Sequence, residues 1–431
     1  MDSKIIKTMI PLKEKDGICG RNLHNVAGSN PTHGAKNVNG GMVCLKRDLR
    51  LLLLGTAHSL NHSLFVITPP LLTLIMVDLG VEEPVIGSVS MVASFIYGFG
   101  ALVGGPLGDR IGEAKTVFLF LVFSGLSTFI MFAAGAYRSI YLFAFALISM
   151  AVWASLYHPT ANSLISKAFV GRVSESMGLH GVGGTIGVIL TPTIAWFVGS
   201  ALGWPLAFAV FGTLCILFAF LFAKVFGLNI NKRGNGASGS IIEAFKLREL
   251  WLLLILNVAI GLFMKGVELF FPTYLQRNRG VDPMWASIAY TLVLAFGVFG
   301  QWIGGKTADI YGSKKVLIAT MIGVCAGLLS LLLVPIYSVG IAAFIILYGI
   351  SFYAHQPAIN ALTGFLSPES QRGAVYGVFF FSAFGVGSIS QSISGFVARI
   401  YGWDVAFYML TGFALAALLL SFKLPDKREQ N

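Results

Sequence analysis

The chain has 431 residues, 56% of them hydrophobic and only 11% charged, with a mean hydropathy of +0.79. Soluble domains carry about 25% charged residues, so this composition excludes a soluble enzyme or a disordered chain and requires a lipid solvent. The formal net charge of +11 is spread over loops rather than gathered in a patch, which argues against a nucleic-acid partner.

Residues 1–50 are rich in Lys, Asn and Gly and lack an apolar run long enough for a signal peptide, so a disordered cytoplasmic tail is expected. From Leu51 onward, apolar stretches near the ~20 residues that cross ~30 Å of hydrocarbon recur twelve times. The first six cover 51–77, 85–107, 116–137, 139–166, 173–199 and 204–226; the second six cover 249–275, 284–304, 316–337, 339–366, 373–398 and 403–423. The expected organisation is therefore a first six-helix bundle (51–226), a cytoplasmic central loop (227–248), a second bundle (249–423) and a cytoplasmic tail (424–431). Of the 30 Lys and Arg, 25 fall in the tails and even-numbered loops. Only Arg138, Arg277, Arg279 and Arg399 fall on the opposite side, and Lys265 lies within a span. The positive-inside rule thus places both termini in the cytoplasm of a multi-pass cell-membrane protein. Cys19, Cys44, Cys215 and Cys325 show no metal-finger or C-x-x-C spacing and offer no disulfide framework.

Ionisable residues inside a span cost roughly 2.5–3.5 kcal/mol on insertion scales, which makes each a functional candidate. In the first span His58, Asn61 and His62 share one helical face; the fourth carries His158 and Asn162 at i, i+4, and the fifth carries His180. Depth counting lets the four histidines meet in one cavity. Pro159 should kink the fourth span and free a carbonyl beside His158, and Pro357 should do the same in the tenth. Lys265 and Glu268 form an opposite-charge pair at i, i+3 in the seventh span, where a purely structural ion pair is the competing reading. The tenth span adds His355, Gln356 and Asn360; for an isolated histidine such as His355, hydrogen-bonded packing competes with function.

The halves repeat. Gly-Gly-Pro-Leu-Gly-Asp-Arg-Ile-Gly at 104–112 aligns with Gly-Gly-Lys-Thr-Ala-Asp-Ile-Tyr-Gly at 304–312, matching Asp109 to Asp309 and Gly112 to Gly312. Pro159-x-x-Asn162-x-Leu164 aligns with Pro357-x-x-Asn360-x-Leu362, and Gly203-Trp204-x-x-Ala207-Phe208 with Gly402-Trp403-x-x-Ala406-Phe407. Parallel repeats of this kind build transporters whose halves rock about a site near the midplane. The glycine-rich run Gly300–Thr307 satisfies G-x-x-x-x-G-K-[ST], but it ends a membrane span instead of joining strand to helix, so no nucleotide site is expected.

The loops at Gly105 and Gly305 resemble the cytoplasmic loops of the major facilitator superfamily. That resemblance implies an all-α integral membrane fold of twelve transmembrane helices in two six-helix repeats. It also implies a cytoplasmic gate at Gly105, Asp109, Arg110, Gly112, Asp309 and Gly312, with Asp109 holding it shut; a helix-capping role for Asp109 is the alternative. Glu113-Ala114 stands where the family has basic residues. Within the superfamily, His58-x-x-Asn61, Tyr157-His158-Pro159 and Gly181-Val182-Gly183-Gly184 resemble the fosmidomycin-resistance branch of exporters, although His62 replaces that branch's Asp. Gly178, Gly187 and Pro192 are similar to the antiporter signature of the fifth helix, with Thr191 in place of its last glycine.

The expected function is a secondary transporter, a proton-coupled exporter of a small organic compound working by alternating access. No enzymatic constellation or cofactor is expected. The expected partners are the substrate, protons and lipid, without nucleotide, for a chain functional as a monomer. Three alternatives stand: uptake or uniport of a sugar, organic acid or anion, with Lys265 binding its negative group; transition-metal transport through His58 and His62 with His158 or His180; and a sensor that moves nothing. Cysteines introduced as Ser238→Cys and Lys427→Cys should both react with impermeant maleimide only from the cytoplasmic side. Labelling of the two from opposite sides would mean an odd number of spans between them.

Overall fold

The computed structural model describes residues 34–169, 172–228, 248–368 and 372–425. The chain divides into two compact units, residues 1–50 and 51–431. The described secondary structure is entirely helical: α1 (Gly34–Val66), α2 (Thr68–Leu79), α3 (Glu83–Ile111), α4 (Glu113–Ala136), α5 (Ile140–Ala154), α6 (Tyr157–Ala168), α7 (Val173–Leu202), α8 (Trp204–Phe226), α9 (Arg248–Arg279), α10 (Pro283–Tyr311), α11 (Ser313–Leu333), α12 (Tyr337–Leu366), α13 (Arg372–Phe384), α14 (Ile389–Tyr401) and α15 (Trp403–Phe422). Residues 1–33 of the expected tail and residues 229–247 of the expected central loop lie outside the described residues; α1 begins at Gly34, inside the segment expected as tail.

Twelve helices are long and apolar enough to cross a membrane, from Leu49–Leu79 to Trp403–Phe422. Three of the spans are interrupted near their middles. The first parts at Ile67, where Pro69 and Pro70 occupy the opening turn of α2 and bring no N–H to bond back to α1. The fourth parts at Ser155–Leu156, ahead of Pro159. The eleventh passes from α13 through Gly385 and a single 3₁₀ turn, Val386–Ser388, into α14. The tenth span has no such interruption, for α12 runs unbroken through Pro357. Losing one backbone bond bends a helix; it parts only where something else holds the freed groups. In the fourth span that is Asn61, whose Nδ2 donates to the Ala154 carbonyl at 2.9 Å.

The repeated glycines have a conformational reason. Gly112, Gly312, Gly203 and Gly402 have φ of 93°, 90°, 94° and 91°, values a Cβ disfavours. Each alone makes the turn between two helices, so the expected loops at 104–115 and 304–315 are helix up to that one residue. Each half gathers its own apolar core, with Phe120, Phe143, Tyr157 and Phe208 in the first and Phe263, Phe344 and Phe407 in the second.

The halves meet along α3, which packs on α13 and α14, and along α7, which packs on α10. At the end of the bundle bearing Gly80 and Gly280 they are latched. Arg277 donates to Glu83 at 2.5 Å and the Arg399 guanidinium engages both oxygens of Glu82 at 2.6 and 2.7 Å. Below these, Ser88 and Ser392 hydroxyls lie 2.8 Å apart, and the Thr193 and Thr291 hydroxyls 2.8 Å apart.

The Arg399–Glu82 pair is more than half exposed on both sides and contributes little; Glu83, with 8% of its side chain exposed, carries the latch. Glu83→Gln should weaken closure by about 1–2 kcal/mol, a five- to thirty-fold shift in population. The shift is read as faster labelling of a cysteine at Ser392, and the swap Glu83→Arg with Arg277→Glu should reverse it. Unchanged labelling in Glu83→Gln would remove the latch.

Candidate functional site

The interruption of the fourth span governs the site. With α5 ended at Ala154, Asn61 covers the free carbonyl and its Oδ1 accepts from Tyr97 Oη at 3.0 Å. One turn from Asn61, His58 is buried against α7, where Gly184 leaves room for it; a Cβ on Gly184 would fall 2.5 Å from the imidazole, and one on Gly183 would meet the Gly55 backbone. His58 Nδ1 lies 2.8 Å from the His180 carbonyl oxygen. A carbonyl only accepts, so that nitrogen carries the proton and Nε2 presents its lone pair. His62 Nε2, 3.0 Å from His58 Nε2, must then donate.

The same reasoning settles His180. Tyr157 Oη donates to the Leu54 carbonyl at 2.8 Å, which spends its only proton, so His180 Nε2 at 2.9 Å donates to it. The His58 and His180 rings stack at 4.1 Å and 10°. His158 stands edge-on to His58 at 5.0 Å and 5.3 Å from His62. The four histidines expected to converge do so, and Tyr157 and Tyr97, which the sequence reading left out of the site, close the network. Their signal was adjacency: Tyr157 precedes His158, and Tyr97 faces Asn61 from α3.

From His158 a column of aromatic rings crosses into the second half. Phe380 lies 5.9 Å from His158 and stacks on Phe384 at 4.3 Å, and Lys265 Nζ sits 4.5 Å above the Phe384 ring. Lys265, 7% exposed, donates to Glu268 Oε2 at 2.8 Å. Both line a small cavity of about 30 Å³, with Phe65, Thr68, Ser90 and Gln391. Thr68 Oγ1, Ser90 Oγ and Gln391 Oε1 have no hydrogen-bond partner among the described residues. Three uncommitted polar atoms beside an ion pair give this small cavity a polar lining.

Other candidates lie elsewhere. His355 Nδ1 bonds the Phe352 carbonyl of its own helix and packs on that ring. Gln356 accepts from Gln301 at 3.1 Å, Asn162 is exposed, and the exposed Asn360 takes part through its carbonyl, which accepts from Tyr376. Gly187 meets the Ser59 backbone, a side chain on Gly178 would touch nothing within 4 Å, and the Pro192 carbonyl accepts from Ser287 at 2.9 Å.

Residues 52–391 match the Major Facilitator Superfamily. The chain belongs to that superfamily. Among its relatives are the fosmidomycin resistance protein of Escherichia coli (25% identical, covering 69% of this chain and 73% of that one) and the probable sulfoacetate transporter of Cupriavidus necator (24%, 82% and 90%). A D-galactonate transporter of Escherichia coli is 23% identical over 79% of this chain and 87% of its own. The fold is that of a bacterial homologue of the human lysosomal transporter Spinster, solved inward-facing and unoccupied (TM-score 0.73, 16% identity, 88% of this chain and 97% of that one). It is also that of the nucleoside transporter NupG (TM-score 0.73, 15%, 87% and 98%).

At the superfamily's loop, Gly105 and Gly305 lie against Pro159 and Pro357, and Arg110 and Asp309 are exposed. The Asp109 side chain lies outside the described residues. Glu113, next to the turn, accepts from Lys167 and from Ser163 at 3.1 Å, so the residue that departs from the family pattern makes the ion pair there.

Asn61 and Asn162 separate on stability. Asn61→Ala strands a buried carbonyl and a tyrosine hydroxyl at about 1–3 kcal/mol each and should lower the melting midpoint in detergent by several degrees, whereas Asn162→Ala should leave it unchanged. Equal melting of the two variants would dissolve the account of the fourth-span interruption.

Proposed function

We propose that this superfamily member is a proton-coupled transporter of a small organic compound bearing an acidic group, working by alternating access, and that Lys265 and Glu268 join the two fluxes. The carrying observation is the ion pair at 2.8 Å in a cavity with uncommitted Thr68, Ser90 and Gln391. An acidic group on the substrate competes with Glu268 for the ammonium of Lys265. Removing a cation from beside a carboxylate favours its protonated form, so Glu268 takes a proton as the substrate takes Lys265. Relatives named for sulfoacetate, D-galactonate and hexuronate, all carboxylates, support this substrate class.

We take the Gly112 and Gly312 face as cytoplasmic, in line with the basic loops, and the latched Glu83–Arg277 face as external, so this conformer is closed on its external side. A second reading, export by proton antiport, is favoured by the His58, Asn61, Tyr157 and glycine pattern of the first, fourth and fifth spans and by the fosmidomycin resistance relative.

One experiment separates them. Proteoliposomes with an imposed pH gradient are offered a panel of carboxylates, sugars and uncharged drugs. Symport accumulates substrate on the alkaline side and antiport on the acidic side, whichever way the protein is oriented. Under the proposal Lys265→Ala raises the half-saturating concentration roughly tenfold or more, the loss of one charged hydrogen bond. Glu268→Gln should abolish gradient-driven accumulation and retain exchange at equal pH. Full gradient-driven flux in Glu268→Gln would overturn the coupling role.

A further inference from the structure

We infer that His58, His62 and His158 form a three-coordinate site for a divalent first-row transition cation of the zinc class. Their ligating nitrogens all lie within 4.8 Å of one another. Two nitrogens bound tetrahedrally to one ion at 2.0–2.1 Å stand about 3.3–3.4 Å apart, so the two Nε2 atoms, now at 3.0 Å, need only part slightly while His158 closes in by about an ångström.

The seat of His58 is that of a metal ligand. Its Nδ1–H is held by the His180 carbonyl, which fixes the tautomer and aims the Nε2 lone pair at His62; ligating imidazoles are oriented in this way, by a hydrogen bond from the second nitrogen. The His180 ring below and Gly184 beside it leave His58 no other position. His62 presents a lone pair when its proton moves from Nε2 to Nδ1, a change of tautomer that releases no proton.

The donor set also defines the cation. Three neutral imidazoles, with no carboxylate or thiolate in the cluster, suit zinc, cobalt, nickel or copper and not magnesium or calcium. His180 is not among the converging donors, and its Nε2–H is committed to Tyr157. The ion therefore keeps one position for water or a solute, reached past the half-buried His62 and His158. The site is separate from Lys265 and Glu268, and it is read by binding to purified protein where the coupling reading is read by flux, so either can fail alone.

The test uses the full chain purified without a histidine tag, titrated with cobalt(II). The expected result is one equivalent bound, with intense visible d–d bands of a low-coordinate ion and a raised melting midpoint. Affinity should fall at least a hundredfold in His62→Ala and in His158→Ala. These two half-buried positions are chosen over the buried His58, and His62→Gln provides a milder check that the protein still folds. His355→Ala and the double variant His24→Ala, His33→Ala should bind as the parent does. No binding overturns the site, as does binding that survives His62→Ala and His158→Ala together, or binding lost with His24 and His33.

Discussion

Hydrocarbon offers no partner for a backbone carbonyl, so each one released inside the bundle must be satisfied by the protein itself. The centre of this molecule is organised by that requirement. Asn61 meets it for Ala154, at the break of the fourth span, while Tyr157 on Leu54, His58 on His180, Ser388 on Met91 and Asn257 on Phe379 add side-chain bonds to carbonyls within helices. Each bond fixes a polar side chain where an apolar one would pack more cheaply. The interruptions of the first, fourth and eleventh spans thus turn a packing problem into a polar interior near the midplane, where discontinuous helices of transporters place their sites.

Satisfying the backbone also decides what chemistry is left over. His58 gives one nitrogen to a carbonyl and has one remaining; His180 gives its Nε2–H to a tyrosine already committed to a carbonyl and keeps only Nδ1, on a buried ring stacked against His58. His62 and His158, only partly enclosed, keep theirs. The four histidines look equivalent along the sequence, and the hydrogen bonds of their neighbours divide them into structural and available groups. On the other side of the Phe380–Phe384 column, Lys265 and Glu268 satisfy each other, and the uncommitted atoms belong to Thr68, Ser90 and Gln391 around them.

How much could be read in advance follows from the range of each cause. Span length is local and was legible, and so was the repeat that pairs Gly112 with Gly312, but not that each of these glycines makes its turn alone. Convergence of His58, His62, His158 and His180 followed from helical period and depth. The tautomer chain was not legible, because it depends on which carbonyl faces which ring across 122 residues of sequence. Thr68-Pro69-Pro70 was a readable mid-span break that passed unread, whereas the break at Gly385 carries no proline to announce it. Spacing alone failed to separate Pro159, near which the fourth span parts, from Pro357, through which α12 runs unbroken, because parting depends on neighbours on other helices such as Asn61.

That failure shows how the two halves differ. They share turns, span lengths and the Pro-x-x-Asn pattern, yet the fourth span parts and the tenth does not, and the histidine beside each proline has a different fate. His158 looks out at two other imidazoles, while His355 turns back onto its own helix at Phe352. A duplicated scaffold needs its turns in both copies, and Gly112 with Gly312 and Gly203 with Gly402 supply them. It needs chemistry in only one copy at each position. The polar groups have divided accordingly, with three clustered imidazoles in the first half and the ion pair that lines the cavity in the second.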